Sequence, residues 1–107
     1  MENENLIIKV LIFSSSNVIA SSLAAFYNNF DGFEATYHSS AANLVERINR
    51  DKPNILILRE ETVSDYTCQM INSIKKVTPN LKIAVMGKLV NDAMLMKLIG
   101  HGVEGYF

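Results

Sequence analysis

Asn54-Ile55-Leu56-Ile57-Leu58, led in by Lys52-Pro53 and stopped by Arg59-Glu60-Glu61, is the stretch that decides the fold. A strand with one wet face alternates apolar and polar residues, whereas an unbroken apolar run belongs to a strand buried on both faces. Such a strand needs a layer above and a layer below it. Ile7 to Phe13 repeats the pattern with one interruption at Lys9, and Leu81 to Met86 repeats it with one at Lys82. Phe33 to His38 alternates instead, with Phe33, Ala35 and Tyr37 set against Glu34, Thr36 and His38. Val103 to Phe107 begins a fifth strand.

The segments between these runs carry helical spacing. Ser14-Ser15-Ser16-Asn17 breaks the first strand and offers oxygens for a helix N-cap. From Val18 to Phe30, Ile19, Leu23, Phe26, Tyr27 and Phe30 recur at three- and four-residue steps, which predicts one apolar helix face. Asp31-Gly32 ends that helix. Ser39-Ser40 leads into a short second helix lined by Leu44, Val45 and Ile48. A loop is expected from Arg59 to Ser64, then a third helix capped by Ser64 or Asp65 with Met70, Ile71, Ile74 and Val77 inside. Asn91 caps a fourth helix, Asp92 to Ile99, ended by Gly100 and Gly102. Strands alternating with helices make βαβ units and a parallel sheet. The predicted architecture is α/β: a three-layer, flavodoxin-like sandwich around a five-stranded parallel sheet.

Composition narrows the class. The 107 residues suffice for one domain, 49% of them hydrophobic and 20% charged. Ten basic against eleven acidic residues argue against nucleic acid as the direct partner, since phosphate binding needs a basic stripe. Cys68 is the single cysteine, so neither a disulfide framework nor a thiolate metal cluster can form. Met1-Glu2-Asn3-Glu4-Asn5 lacks the basic start of a signal peptide, and Leu6 to Phe13 is too short to span a bilayer. These features point to the cytoplasm and to no membrane partner. His38 and His101 fall on unrelated elements, and no P-loop, GxGxxG or Ser-His-Asp set can be assembled. Catalysis has no visible candidate, and no metal or cofactor is expected.

Four pieces, in order, carry a family resemblance: Val10-Leu11-Ile12 before a loop, Lys52 to Leu58, Pro79-Asn80-Leu81-Lys82-Ile83-Ala84-Val85-Met86, and Gly102-Val103-Glu104-Gly105-Tyr106-Phe107. Over its whole length the chain resembles the receiver domains of bacterial response regulators, and its ending is similar to that of NarL/LuxR-type transcription regulators. The resemblance implies phosphoryl transfer to an aspartate at the end of the third strand. Two acidic residues after the first strand would hold Mg²⁺, and a Ser or Thr would end the fourth. Here the acidic pair falls on Ser14 and Ser15, the nucleophile on Arg59 and the hydroxyl on Gly87, followed by Lys88. Serines ligate Mg²⁺ poorly and arginine is a permanent cation, not a nucleophile. The resemblance therefore implies an atypical, phosphorylation-independent receiver. Glu60 or Asp65 is the alternative phosphoacceptor.

Two further expectations concern what replaces that chemistry. Ser14, Ser15, Ser16, Arg59 and Lys88 sit where open parallel sheets bind ligands, and could cradle a small anion. Alternatively, Arg59 pairs with Glu60, Glu61 or Asp65, and the serines are only a loop and cap. Met94, Leu95, Met96, Leu98 and Ile99 make the fourth helix apolar nearly all round, so with Tyr106 they form a candidate interface for a protein partner or homodimer. Receivers continue into a fifth helix. Without it, one face of the first, third and fifth strands is expected to lie open, and the chain reads as part of a longer regulator. DNA would then be reached only through a domain outside this chain.

Overall fold

Each apolar run becomes a strand of one parallel sheet. The computed structural model describes residues 6–107; the Met1–Asn5 segment, read above for a targeting signal, lies outside the described residues. The elements are β1 (Ile8–Phe13), α1 (Asn17–Tyr27), β2 (Phe33–His38), a 3₁₀ turn (Ala41–Asn43), α2 (Leu44–Asp51), β3 (Ile55–Val63), α3 (Asp65–Val77), β4 (Lys82–Leu89), α4 (Ala93–Gly100) and β5 (Gly105–Tyr106). The sheet order is β2-β1-β3-β4-β5 and every pairing is parallel. This is the flavodoxin-like order, with strand order reversing between β1 and β3. The five-stranded α/β architecture read from the sequence is the one observed. No helix of the described residues is long and apolar enough to cross a membrane.

Strand parity sorts the core into two. Leu11, Phe13, Leu56, Leu58, Ile83 and Val85 face α2, α3 and α4, where Leu44, Ile48, Ile71, Ile74, Met94 and Leu98 meet them. Val10, Ile12, Ala35 and Ile57 face α1. Each fully buried Leu, Ile or Phe contributes about 1.5–3 kcal/mol by leaving water, so the first layer carries most of the stability.

Several local expectations are corrected. The α1 helix stops at Tyr27, short of Phe30, and it is Ala20 and Ala24 that are buried against the sheet. Ile19, Leu23 and Tyr27 are only half-buried, and Phe26 and Phe30 are exposed, stacked edge-to-face on one another. Small residues win the contact because they let the helix axis approach the strands closely. In α3, Val77 is exposed while Thr67 and Cys68 are buried beside Ile71 and Ile74. The open face is also smaller than expected: α1 covers β1, and Ile57 of β3 is only 5% exposed. Among the described residues this face leaves Ile8 40% exposed, Ile55, Ala84 and Met86 half-buried, and Phe107 55% exposed.

The largest correction concerns the loop expected at Arg59–Ser64. The β3 strand runs on to Val63, and β4 runs on through Gly87 and Lys88 to Leu89. Pairing breaks after Arg59↔Met86 and resumes at Thr62↔Lys88 and Val63↔Leu89. Glu60 and Glu61 thus stand opposite Gly87 alone, a two-against-one bulge. The buried Val63 side chain pulls the strand back into register, and charged residues ride the bulge.

A candidate functional site at the carboxyl ends of the strands

Strand register brings the predicted pocket residues to one end of the sheet. Ser14 follows the Phe13↔Leu58 pair, so it stands next to Arg59 in the β1–β3 register. Its N–H donates to the His38 carbonyl (3.3 Å), and its side chain is buried. Its Oγ accepts the N–H of Ser16 (3.2 Å), and Ser16 Oγ in turn accepts the N–H of Ile19 (3.3 Å), capping α1. Two of the three serines therefore organise the β1–α1 turn, although each hydroxyl keeps its own hydrogen to donate. Ser15 is exposed.

Arg59 is half-buried on β3 beside Met86. Among the described residues no ion pair joins it to Glu60, Glu61 or Asp65; Asp65 pairs with Lys97 of α4 instead (3.0 Å). Lys88 is exposed, one step past the bulge. Gly87 has φ +155°, and a Cβ there would run into the Glu60 carbonyl oxygen and lie 3.1 Å from both its carbon and Val63 Cγ2. The Glu60 main chain thus occupies the space that a side chain at this position would take.

Glu60 itself is half-buried. Burial pushes its carboxyl above the ordinary glutamate range, and the Arg59 charge offsets only part of that. A raised carboxyl pKa in the folded state favours folding at low pH and loses that contribution as pH rises through it. Glu60→Gln is therefore expected to raise the melting temperature at neutral pH. The gain should vanish in acid, where both side chains are neutral; melting curves across pH check it.

No three His, Cys, Asp or Glu side chains among the described residues gather as a metal site. His38 bonds Asn43 (2.9 Å) and Arg47 (3.2 Å) at the end of β2, while His101 is exposed after α4, so the two do not meet. Surface hollows among the described residues lie elsewhere, two of them beside charged side chains. One, of about 390 Å³, is lined by Lys9, Glu34, Arg47, Arg50 and Asp51; the other, of about 550 Å³, by Asn49, Lys52, Asn80 and Lys82. Neither includes Ser14, Arg59 or Lys88.

The α4 helix divides the predicted interface. Met94 and Leu98 are buried, Met94 against Cys68 (Sγ to Sδ 3.7 Å), so these two are corrected from interface to core. Leu95, Met96 and Ile99 are exposed, Met96 to 69%. Tyr106 is partly exposed and its hydroxyl donates to the Gly87 carbonyl (2.6 Å), tying β5 to the bulged end of β4.

Sequence reasoning missed one anchor here. Glu104 accepts the Ile83 N–H (2.8 Å) and pairs with Lys75 (3.1 Å), which also donates to the Leu81 carbonyl (2.8 Å). Burial raises the Glu104 pKa, but these donors outweigh it and hold the carboxyl below its usual range. A lone glutamate before a two-residue strand gives no local signal of this role.

No family model matches the chain, and no curated protein is similar to it in sequence. Solved structures are similar in fold. A pilus assembly-related protein from Burkholderia pseudomallei superposes with a TM-score of 0.80 at 18% identity, over 94% of this chain and 77% of that one. A LuxR-family DNA-binding response regulator from Staphylococcus aureus gives 0.77 at 17%, over 94% and 84%. The isolated receiver domain of RcsB from Salmonella enterica gives 0.78 at 17%, over 94% and 76%. From its strand order, its core and these likenesses, the chain has the flavodoxin-like fold of response-regulator receiver domains.

Proposed function

We propose that this chain is a cytoplasmic signalling module that uses the receiver fold without phosphoryl transfer and acts through protein contacts. One observation carries the reading: the end of the sheet where such chemistry would occur holds Ser14, Ser15 and Arg59, with the Glu60 main chain packed over Gly87. No carboxylate pair stands after β1 to hold Mg²⁺, so Glu60 and Asp65 lack the metal that a carboxylate nucleophile needs. Asp65 is in addition engaged by Lys97.

Contact then falls to α4, where Leu95, Met96 and Ile99 present an apolar row that none of the described elements covers. The partner is a second copy of the chain or another protein, and any control of transcription runs through a DNA-binding domain outside this chain. Light scattering tests the self-association form. Wild type is expected to gain mass with concentration, and Met96→Asp with Ile99→Asp to stay monomeric; monomers in both would remove homodimerisation through α4.

A second reading, a small-anion site, has Arg59 in its favour, since no carboxylate among the described residues lies within ion-pair distance of it. Ser14, Ser15 and Ser16 would add hydroxyl donors and Lys88 a second charge. Stabilisation by inorganic phosphate that is lost in Arg59→Ala but kept in Lys76→Ala would support this reading over the first.

A further inference from the structure

β2 is an edge of the sheet, with β1 on one side only. Ile8 N–H bonds the Gly32 carbonyl (2.8 Å) and Ser14 N–H bonds that of His38 (3.3 Å), so the even-numbered residues face β1. Phe33, Ala35 and Tyr37 turn their main-chain groups outward. Such a row is a template for pairing with another strand. Here side chains fill its centre and one further carbonyl. Asn28 Oδ1 accepts the Ala35 N–H (2.8 Å) and Asn28 Nδ2 donates to the Ala35 carbonyl (3.0 Å), the two bonds a neighbouring strand would make. Arg47 Nη1 donates to the Tyr37 carbonyl (3.1 Å), and the Phe33 N–H turns back to the Phe30 carbonyl (3.4 Å).

Both plugs are held in place from behind. Asn28 closes α1, its own N–H bonding the Ala24 carbonyl (3.0 Å), and Arg47 is gripped by Asp51 one turn along α2. The side chains around this edge would otherwise favour pairing: Phe33, Thr36 and Tyr37 are strand formers, and Tyr37 is exposed.

We infer that Asn28 and Arg47 close the β2 edge against strand addition, and that the partner they exclude is the β2 edge of a second copy of this chain. Association of the chain is thereby kept off the β2 edge. The inference stands on main-chain geometry and is independent of which function α4 serves.

Amide hydrogen exchange on the full chain, followed residue by residue, tests it alongside light scattering. The Ala35 amide is expected to exchange slowly in wild type despite its edge position, and at least about tenfold faster in Asn28→Ala, as loss of its acceptor requires. Asn28→Asp keeps an acceptor for that N–H and is expected to keep the protection, which guards against a fold lost in the alanine variant. Asn28→Ala should also gain mass with concentration beyond wild type, and Tyr37→Lys added to it should reverse the gain by placing charge on the edge. Equal Ala35 exchange in wild type and Asn28→Ala, an unprotected Ala35 in Asn28→Asp, or a mass that never exceeds wild type would overturn the inference.

Discussion

Gly87→Ala is expected to lower the stability of the fold by about 3 kcal/mol, through strained backbone and overpacking together. For a domain of this size that is a fall in melting temperature of about 12–24 °C. The obstacle is main chain: the new Cβ would overlap the Glu60 carbonyl oxygen, whose position is fixed by the strand pairing on both sides of the bulge. A side chain could rotate aside, but main chain held by strand pairing on both sides cannot. Gly32→Ala is the matched control. It too has a left-handed φ (+91°), but nothing lies near its Cβ, so it should cost about 1 kcal/mol or a little more. Thermal melts of the two variants check the difference.

The second large effect separates the two faces of α4. Met94→Asp places a carboxylate at a site 3% exposed, against Cys68 and the buried side of α3, out of water. The cost should be about 3–5 kcal/mol, enough to unfold a marginal domain. Met96→Asp, two residues on, changes a side chain in water and should shift stability by no more than about 0.5 kcal/mol. Denaturant unfolding of the pair measures the contrast. It also decides which substitutions can probe binding, because a variant that unfolds cannot report on an interface.

The strands were legible because their burial is written in consecutive residues: Ile55 to Leu58 needs cover on both faces wherever the chain goes. The Arg59–Val63 extension was not, because its register depends on Val63 reaching a core assembled from β4 and α3, while Glu60 and Glu61 read locally as loop. The α1 face was misread for a related reason. Periodicity picks out large apolar residues, but the sheet accepted Ala20 and Ala24, and spacing alone does not say which stripe comes closest.

For the site, sequence placed Ser14, Arg59 and Gly87 at the strand ends. It could not show that Ser14 and Ser16 fasten the β1–α1 turn, or that Gly87 is glycine because of its neighbour's carbonyl. Those facts depend on where main-chain atoms of other segments arrive. On α4, composition announced an apolar surplus but not its division, and the structure assigns Met94 and Leu98 to the core and Leu95, Met96 and Ile99 to the surface.

We propose that the receiver fold is kept here while its phosphoryl chemistry is not. Intact mass of the chain after incubation with acetyl phosphate and Mg²⁺ tests this most directly. An unchanged mass is expected under conditions that label a phosphorylatable receiver in the same tube. A phosphoryl adduct on Glu60 or Asp65 would contradict it.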